Sequence, residues 1–397
     1  MKISYFVHDF GHPDLARRFE MLRQGGAATT IFGFHRARSA DPGVAGAVVD
    51  LGQTRDARFA QRVWAVARAI PRLRPWAKTL AQSDVILARN LEMLVLATIA
   101  RRLYAPHAAL VYECLDIHRF MLSRHWLGAA LRAVERALLK GCQGLMVSSP
   151  AFVREYFAPA NRTLPKTFLV ENKVFLTEER SNHTVRAAGP PWRIGWFGVL
   201  RCRRSLDMLS ELLRSAPQTV EVIVAGLPAA GVFPDAAQAF GGIPGLTFLG
   251  SFKDEAELAR LFRSVHFAWA IDYYEAGGNS NWLLPNRLYR SILYGAVPLA
   301  LAGVETGQWL ADHHAGLLLG ERPETQLIDL MQSMTPVTYA TAGAAIDRIP
   351  TSALVTDTAE CRTLVRSLGE LGRGLAGRDD RSEGIEAAKP SAAPPRT

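Results

Sequence analysis

The sequence predicts an α/β protein of two doubly wound, Rossmann-like domains facing each other across a cleft. Three observations predict it. Short apolar strands alternate with polar turns and amphipathic helices, the pattern of a parallel sheet covered by helices. The alternation pauses once, at a polar stretch closing in Gly-Pro-Pro at 189–191, and then restarts. A chain of 397 residues is also too long for one core and fits two domains of ordinary size. The expected division is a first domain at 1–176, a linker at 177–192, a second domain at 193–371 and a disordered Gly/Arg/Ala/Pro-rich tail at 372–397.

In the first half, strands are expected at 3–7, 28–34, 48–51, 85–87, 110–113, 144–147 and 168–170. Polar residues follow several of them: His8 and Asp9, Arg89 and Asn90, Asp116 and His118, Ser148 and Ser149, Glu171 and Asn172. In parallel sheets ligands gather at these carboxyl ends. The second half repeats the plan with strands at 193–197, 220–225, 246–249, 265–271, 297–302 and 315–319, and a helix at 358–371. Its most informative stretch is 271–298, where a strand gives way to an acidic, Asn-rich loop and then to a helix opening at Leu-Pro-Asn-Arg-Leu. That order makes a socket for an anionic or sugar-bearing ligand. An ordinary βα crossover would read the same way.

Composition narrows the function. Hydrophobic residues make up 49% of the chain and mean hydropathy is +0.04, which describes a soluble globular protein. No apolar run approaches the ~18 residues that cross a bilayer, and the start, MKISYFVHDF, reads as a strand rather than a signal peptide. The four cysteines are scattered, which suits a reducing cytoplasm and argues against a disulfide framework or a zinc site. Charge is lopsided: residues 1–190 carry 27 Lys and Arg against 15 Asp and Glu, so the first half is strongly basic and calls for an anionic partner. Nucleic acid is disfavoured, because no recognition motif accompanies the charge. Neither a dinucleotide fingerprint, a Walker A loop nor a nucleophile elbow is present. No D-x-D occurs, so no metal or other cofactor is expected; a diphosphate would be neutralised by side chains and helix N-termini.

Arg201, Arg203 and Arg204, in the loop after the first strand of the second half, suit that task; a solvated basic turn is the alternative. Arg287 and Arg290 lie three apart on one helix face near its N-terminus, an unfavourable place for cations unless an anion lies against them. Glu275 could accept hydrogen bonds from sugar hydroxyls, or be a surface carboxylate. Asp116 and His118 are candidate general bases, although an Asp at a strand end is often just a helix cap. Asp9 with His8 forms a weaker pair, and Glu171 and Asn172 sit beside the linker. Finally, 55–80 reads as one basic amphipathic helix with Trp64 and Trp76 beside its apolar stripe. It could lie on an anionic membrane or pack on the sheet.

The pattern E-A-G-G-N…L-P-N-R-L-Y-R-S-I-L-Y-G-A-V-P, with strand-end Gly226 and Gly250, resembles the GT-B glycosyltransferases. In the first half, YFVHDF, RxxMLRxGGA, ARNLEMLVLA, VYECLDIH, SSPAFVREYF and LVENKV resemble the exopolysaccharide glycosyltransferases typified by the succinoglycan glucosyltransferase; the likeness spans about 1–370. It implies that the second domain binds a nucleoside diphosphate sugar, UDP-glucose or a relative. Gly198, Arg201 and Arg204 would lie by the diphosphate, and Glu275, Asn286, Arg287 and Arg290 near the nucleotide. The first domain would take a polyprenyl-diphosphate-linked oligosaccharide at the inner membrane face, with Asp9, Arg89, Glu171 and Asn172 towards this acceptor. The resemblance would place the enzyme in the cytoplasm, peripheral to the membrane. Asp116 matches the catalytic carboxylate of inverting members. One departure bears on stereochemistry: Arg290 stands where retaining members carry a ribose-binding Glu, and a guanidinium cannot accept hydrogen bonds from hydroxyls. Inversion is therefore expected. The alternatives are a nucleotide-sugar epimerase on the same fold and a non-catalytic sugar-nucleotide or lipid-binding scaffold.

Overall fold

The computed structural model describes residues 1–11, 13–35, 47–54, 59–175 and 189–382. The first sheet holds β1 (Lys2–Val7), β2 (Ala28–His35), β3 (Ala47–Gln53), β4 (Val85–Arg89), β5 (Ala109–Cys114), β6 (Gly144–Val147) and β7 (Lys166–Leu169). All are parallel, in the order β3-β2-β1-β4-β5-β6-β7. β8 (Val174–Phe175) leaves this sheet. The second sheet contains β9 (Trp192–Leu200), β10 (Val220–Pro228), β11 (Leu246–Phe248), β12 (Phe267–Trp269), β13 (Val297–Leu301) and β14 (Leu317–Leu319). It too is parallel, in the order β11-β10-β9-β12-β13-β14. β15 (Val355–Thr356) comes last and pairs with β8.

Both sheets thus reverse strand order beside their first strand, between β1 and β4 and between β9 and β12. These are the switch points where a parallel sheet opens a crevice at its carboxyl edge. The glycines at the second crevice are sterically required. Gly198 and Gly226 pair across β9 and β10 with φ of +114° and +141°, and a Cβ on Gly226 would stand 1.8 Å from the Gly198 carbonyl oxygen.

Helix ends follow local chemistry. Asp254 accepts from the Glu257 N–H while Glu257 reaches back to the Lys253 N–H, both at 2.8 Å, so the Glu255–Arg263 helix starts in a reciprocal cap. The expected single helix at 55–80 is instead three pieces: Phe59–Ala69, a 3-10 segment Pro71–Trp76 and Ala77–Ala81. Pro71 and Pro75 lack the N–H that would continue it. Val66, Ala69, Leu73 and Leu80 are buried in the first core, so the apolar stripe faces the sheet. Arg55 and Arg58, and the side chain of Arg62, lie outside the described residues.

The C-terminal segment departs from the expected division. The sequence places a helix at 358–371 in the second domain and a tail from 372; the helix in fact spans Thr358–Ser382 and packs on the first domain. Cys361, Leu364, Val365 and Leu368 are buried with Ile3, Tyr5, Phe19 and Leu22. A local pattern shows that a helix has an apolar face but not which sheet that face meets. The expected linker falls outside the described residues up to 188, as does the tail from 383.

Below the first switch point lies a buried ionic cluster. Glu113 at the end of β5 is 0% exposed and accepts from Arg18 Nε at 2.7 Å, Arg89 Nε at 2.9 Å and the Tyr5 hydroxyl. Burial alone would raise its carboxyl; Arg89 and Arg18 outweigh burial and hold it down at about 2. Glu113→Ala would leave two guanidiniums buried without their counter-ion and should cost about 3–5 kcal/mol in urea denaturation. The same cluster sets a pH dependence. The Glu113 contribution is complete above the unfolded carboxyl value near ~4.3 and disappears as pH falls towards the folded value. Wild type should therefore lose about 3 kcal/mol more on acidification than Glu113→Gln, as read by urea denaturation at each pH.

Candidate active site

The two carboxyl edges meet along the loop and helix start at 272–286, and side-chain contacts stitch them together. Asn279, almost fully buried, accepts from the Ile117 N–H at 3.1 Å, and Ser149 Oγ donates to the Trp282 carbonyl at 2.5 Å. Asn172 Nδ2 donates to the Leu284 carbonyl at 3.0 Å, Asn286 Nδ2 to Asp14 Oδ1 at 3.4 Å, and Arg154 pairs with Glu305 at 2.7 Å. The stretch expected to be a ligand socket is also the seam between the sheets.

At the second switch point Asp272 follows β12 and binds Arg201 through Nε at 3.0 Å and Nη2 at 2.7 Å. Burial pushes its carboxyl up, but Arg201 and Arg287 more than compensate and hold it below the usual range. Arg287 is enclosed in the same place. Burial lowers its guanidinium, Asp272 opposes that, and its buried Nη1 has no hydrogen-bond partner. Asp272 is thus salt-bridged to Arg201 and acts on Arg287 only electrostatically, which leaves the Nη1 of Arg287 without a bonded anion.

Glu275 lies within reach of this group. Half-burial raises its carboxyl; the Asn279 side chain and Arg201 lower it, while Asp116 and Asp272 raise it. Asn279, four residues on from Glu275, is bonded to the backbone of Ile117, the residue after Asp116. Asp116 comes from the other sheet, is exposed, and acts electrostatically on both Arg201 and Glu275. It is not the cap of the following helix. That cap is His118, whose Nδ1 accepts from the Phe120 N–H at 3.3 Å.

The remaining expected residues are spread more widely. Gly198 keeps open space on its side-chain position at the end of β9. Arg204 lies over the Tyr273 ring at 4.1 Å and pairs with Glu324 at 2.7 Å, so it is drawn towards the Pro323–Gln332 helix. Arg290 is bidentate to Glu255, which also accepts from the Tyr294 hydroxyl. The structure puts Arg290 in the last turn of the Asn286–Leu293 helix, not near its N-terminus as expected, because the helix opens only at Asn286; its anion, Glu255, opens the neighbouring helix. Arg89, expected to face an acceptor, is 1% exposed and bound to Glu113, because β4 ends over the buried carboxylate. Asp9 closes a turn by accepting from the Gly11 N–H at 3.0 Å. Asn172 accepts from Arg17 Nη2 at 2.7 Å and so serves the seam, while burial raises the neighbouring Glu171. The sequence does not single out Asp272 or Asn279. Asp272 has a usable signal, since it directly follows the apolar run; Asn279 is visible only as the last letter of the E-A-G-G-N pattern, and its bond to a residue 162 positions away is not. No cluster of three or more potential metal ligands occurs among the described residues.

With this geometry in place, comparison with known proteins decides the family. The succinoglycan biosynthesis protein ExoL of Rhizobium meliloti is 40% identical over 378 residues, covering 94% of each chain. The chain belongs to the ExoL family. Solved structures share the fold at low identity. The sucrose-phosphate synthase of Thermosynechococcus elongatus superposes with a TM-score of 0.67 at 14% identity, covering 95% of this chain and 100% of that one. Anabaena HepE in complex with UDP gives 0.59 at 14% identity, covering 96% and 100%. These neighbours are GT-B proteins, and the two parallel sheets meeting at their carboxyl edges are the GT-B arrangement. No family model matches the chain.

Asn279→Ala should leave the buried Ile117 N–H unpaired and lower stability by about 1–3 kcal/mol in urea denaturation. Asn279→Asp, which keeps an acceptor for Ile117 but sets a second carboxylate against Glu275, should recover stability only at acidic pH.

Proposed function

We propose that the protein is a glycosyltransferase of exopolysaccharide assembly, moving a hexose from a UDP-sugar to a polyprenyl-diphosphate-linked acceptor with inversion. The observation that carries this reading is the meeting, across the seam, of exposed Asp116 with Glu275 and the Arg201–Asp272–Arg287 group. The ExoL relationship and the UDP-bound HepE neighbour support it. Asp116 removes the proton from an acceptor hydroxyl, whose oxygen forms the new bond to the anomeric carbon. The bond from that carbon to the diphosphate breaks, and UDP leaves with the electron pair. Arg201 and Arg287, which carry one charge more than Asp272 balances, hold the charge that develops there. Glu275 accepts from sugar hydroxyls, and Gly198 lets the chain approach the diphosphate. With Arg290 engaged by Glu255, a carboxylate contact to ribose is absent at that position, in keeping with inversion.

Among the described residues no helix is long and apolar enough to cross a membrane. In this reading the enzyme meets its lipid-linked acceptor from the cytoplasmic side, as a peripheral protein.

The test is release of UDP from UDP-glucose with and without lipid-linked acceptor. Asp116→Asn should lower kcat by about 10²–10⁴-fold while leaving the UDP-induced thermal shift intact. Arg287→Met should instead abolish that shift. Because arginines neutralise the leaving group, EDTA should leave turnover unchanged. Formation of a new nucleotide sugar without acceptor would replace this reading with the epimerase.

A further inference from the structure

The Trp126–Leu139 helix follows the Asp116 loop and carries apolar residues on both faces. Leu131, Leu138 and Leu139 face inwards. Trp126, Ala130, Ala133 and Ala137, spaced four, three and four apart, form one stripe that is exposed along its whole length, with Val134 beside it. Trp126 is 72% exposed. A helix with apolar residues on two faces needs an apolar partner on each, and among the described residues only one face has one.

The charge around this stripe is of one sign. Arg119 and Arg124 precede it, and Arg136 and Lys140 border it; all four are exposed, without a carboxylate partner among the described residues. The helix's own acid, Glu135, is turned into the core. Its oxygens accept from the Tyr112 and Tyr156 hydroxyls at 2.8 and 2.7 Å, and burial raises its carboxyl. The face therefore presents alanines and a tryptophan within a cationic rim. The neighbouring Asn90–Tyr104 helix packs on this one and also on the Phe59–Ala69 helix. Those two helices add exposed Leu103 and Trp64, the latter 67% exposed with Arg68 over its ring.

We infer that this face is a docking surface for an anionic lipid bilayer. The Trp126–Leu139 helix lies in the plane of the headgroups, and Arg119, Arg124, Arg136 and Lys140 rest on lipid phosphates. Trp126 and the alanine stripe enter the acyl boundary. A protein partner would need carboxylates set against each cation and a surface shaped to small alanines, whereas a bilayer requires only negative charge and fluid hydrocarbon. Docking here holds Asp116, which lies just before the Arg119–Leu122 helix, close to the headgroup level. The use of that placement rests on the lipid-linked acceptor of the proposed function.

The test is cosedimentation of the full chain with vesicles of phosphatidylglycerol and phosphatidylcholine, against vesicles of phosphatidylcholine alone. Binding should require the anionic lipid and weaken as salt is raised. Arg136→Glu with Lys140→Glu should reduce it at least about tenfold. Ala133→Glu with Ala137→Glu should do the same by placing carboxylates in the acyl boundary. Both pairs should keep the UDP-induced thermal shift, which establishes that they fold. Three results would overturn the inference: equal binding by wild type and both pairs, equal binding to neutral vesicles, or a wild-type dimer in size-exclusion chromatography that Ala133→Glu with Ala137→Glu dissociates. The last would make the face an interface between two copies. Asp116→Asn should bind vesicles as wild type does, so failure of the catalytic reading and failure of the docking surface are read separately.

Discussion

The first domain is built over a carboxylate that cannot be moved. Glu113 sits at the end of a central strand with no access to water, and the guanidiniums of Arg18 and Arg89 and the hydroxyl of Tyr5 converge on it. Each partner comes from a different element: the first helix, β4 and β1. Removing a charge from water is costly, and only close pairing offsets it. The cluster therefore fixes these elements in one relative arrangement. Directly above it, the loops after β1 and β4 open the first crevice.

The second constraint is the seam. The Glu275 to Asn286 region belongs in sequence to the second sheet, yet its side chains and carbonyls bond to Ile117, Ser149, Asn172 and Asp14 of the first. A loop held from both sides transmits position: Asn279 accepts from the backbone beside Asp116 and helps to lower the Glu275 carboxyl. The loop that carries Glu275 is thereby tied to the backbone beside Asp116 by one amide side chain. The C-terminal helix adds a tie of a different kind, returning apolar side chains to the first core after the second sheet is complete.

Cations illustrate how far context redirects a residue. Arg201, Arg204, Arg287 and Arg290 read alike as phosphate ligands, but only Arg201 and Arg287 gather at one carboxylate, where their charge exceeds it. Arg204 and Arg290 are matched one to one by Glu324 and Glu255. A cation held in its own salt bridge contributes to packing; the unbonded Nη1 of Arg287 is what an anionic ligand can use.

The sequence by itself determined the alternation of strands and helices, the two-sheet plan, and the strand ends at which polar residues collect. Periodicity and turn residues are local properties, and a parallel sheet needs little else to be recognised. It also placed Asp116, Glu275 and Arg201 after those ends and Arg287 at a helix start. Tertiary structure decided what no local pattern encodes: that Arg89 belongs to Glu113, that Asp272 is the counter-ion of the arginine pair, and that Asn279 joins the two halves. It likewise decided that the last helix packs on the first sheet. These outcomes depend on which charges and apolar faces meet across long sequence separations, and that is settled only when the chain has folded.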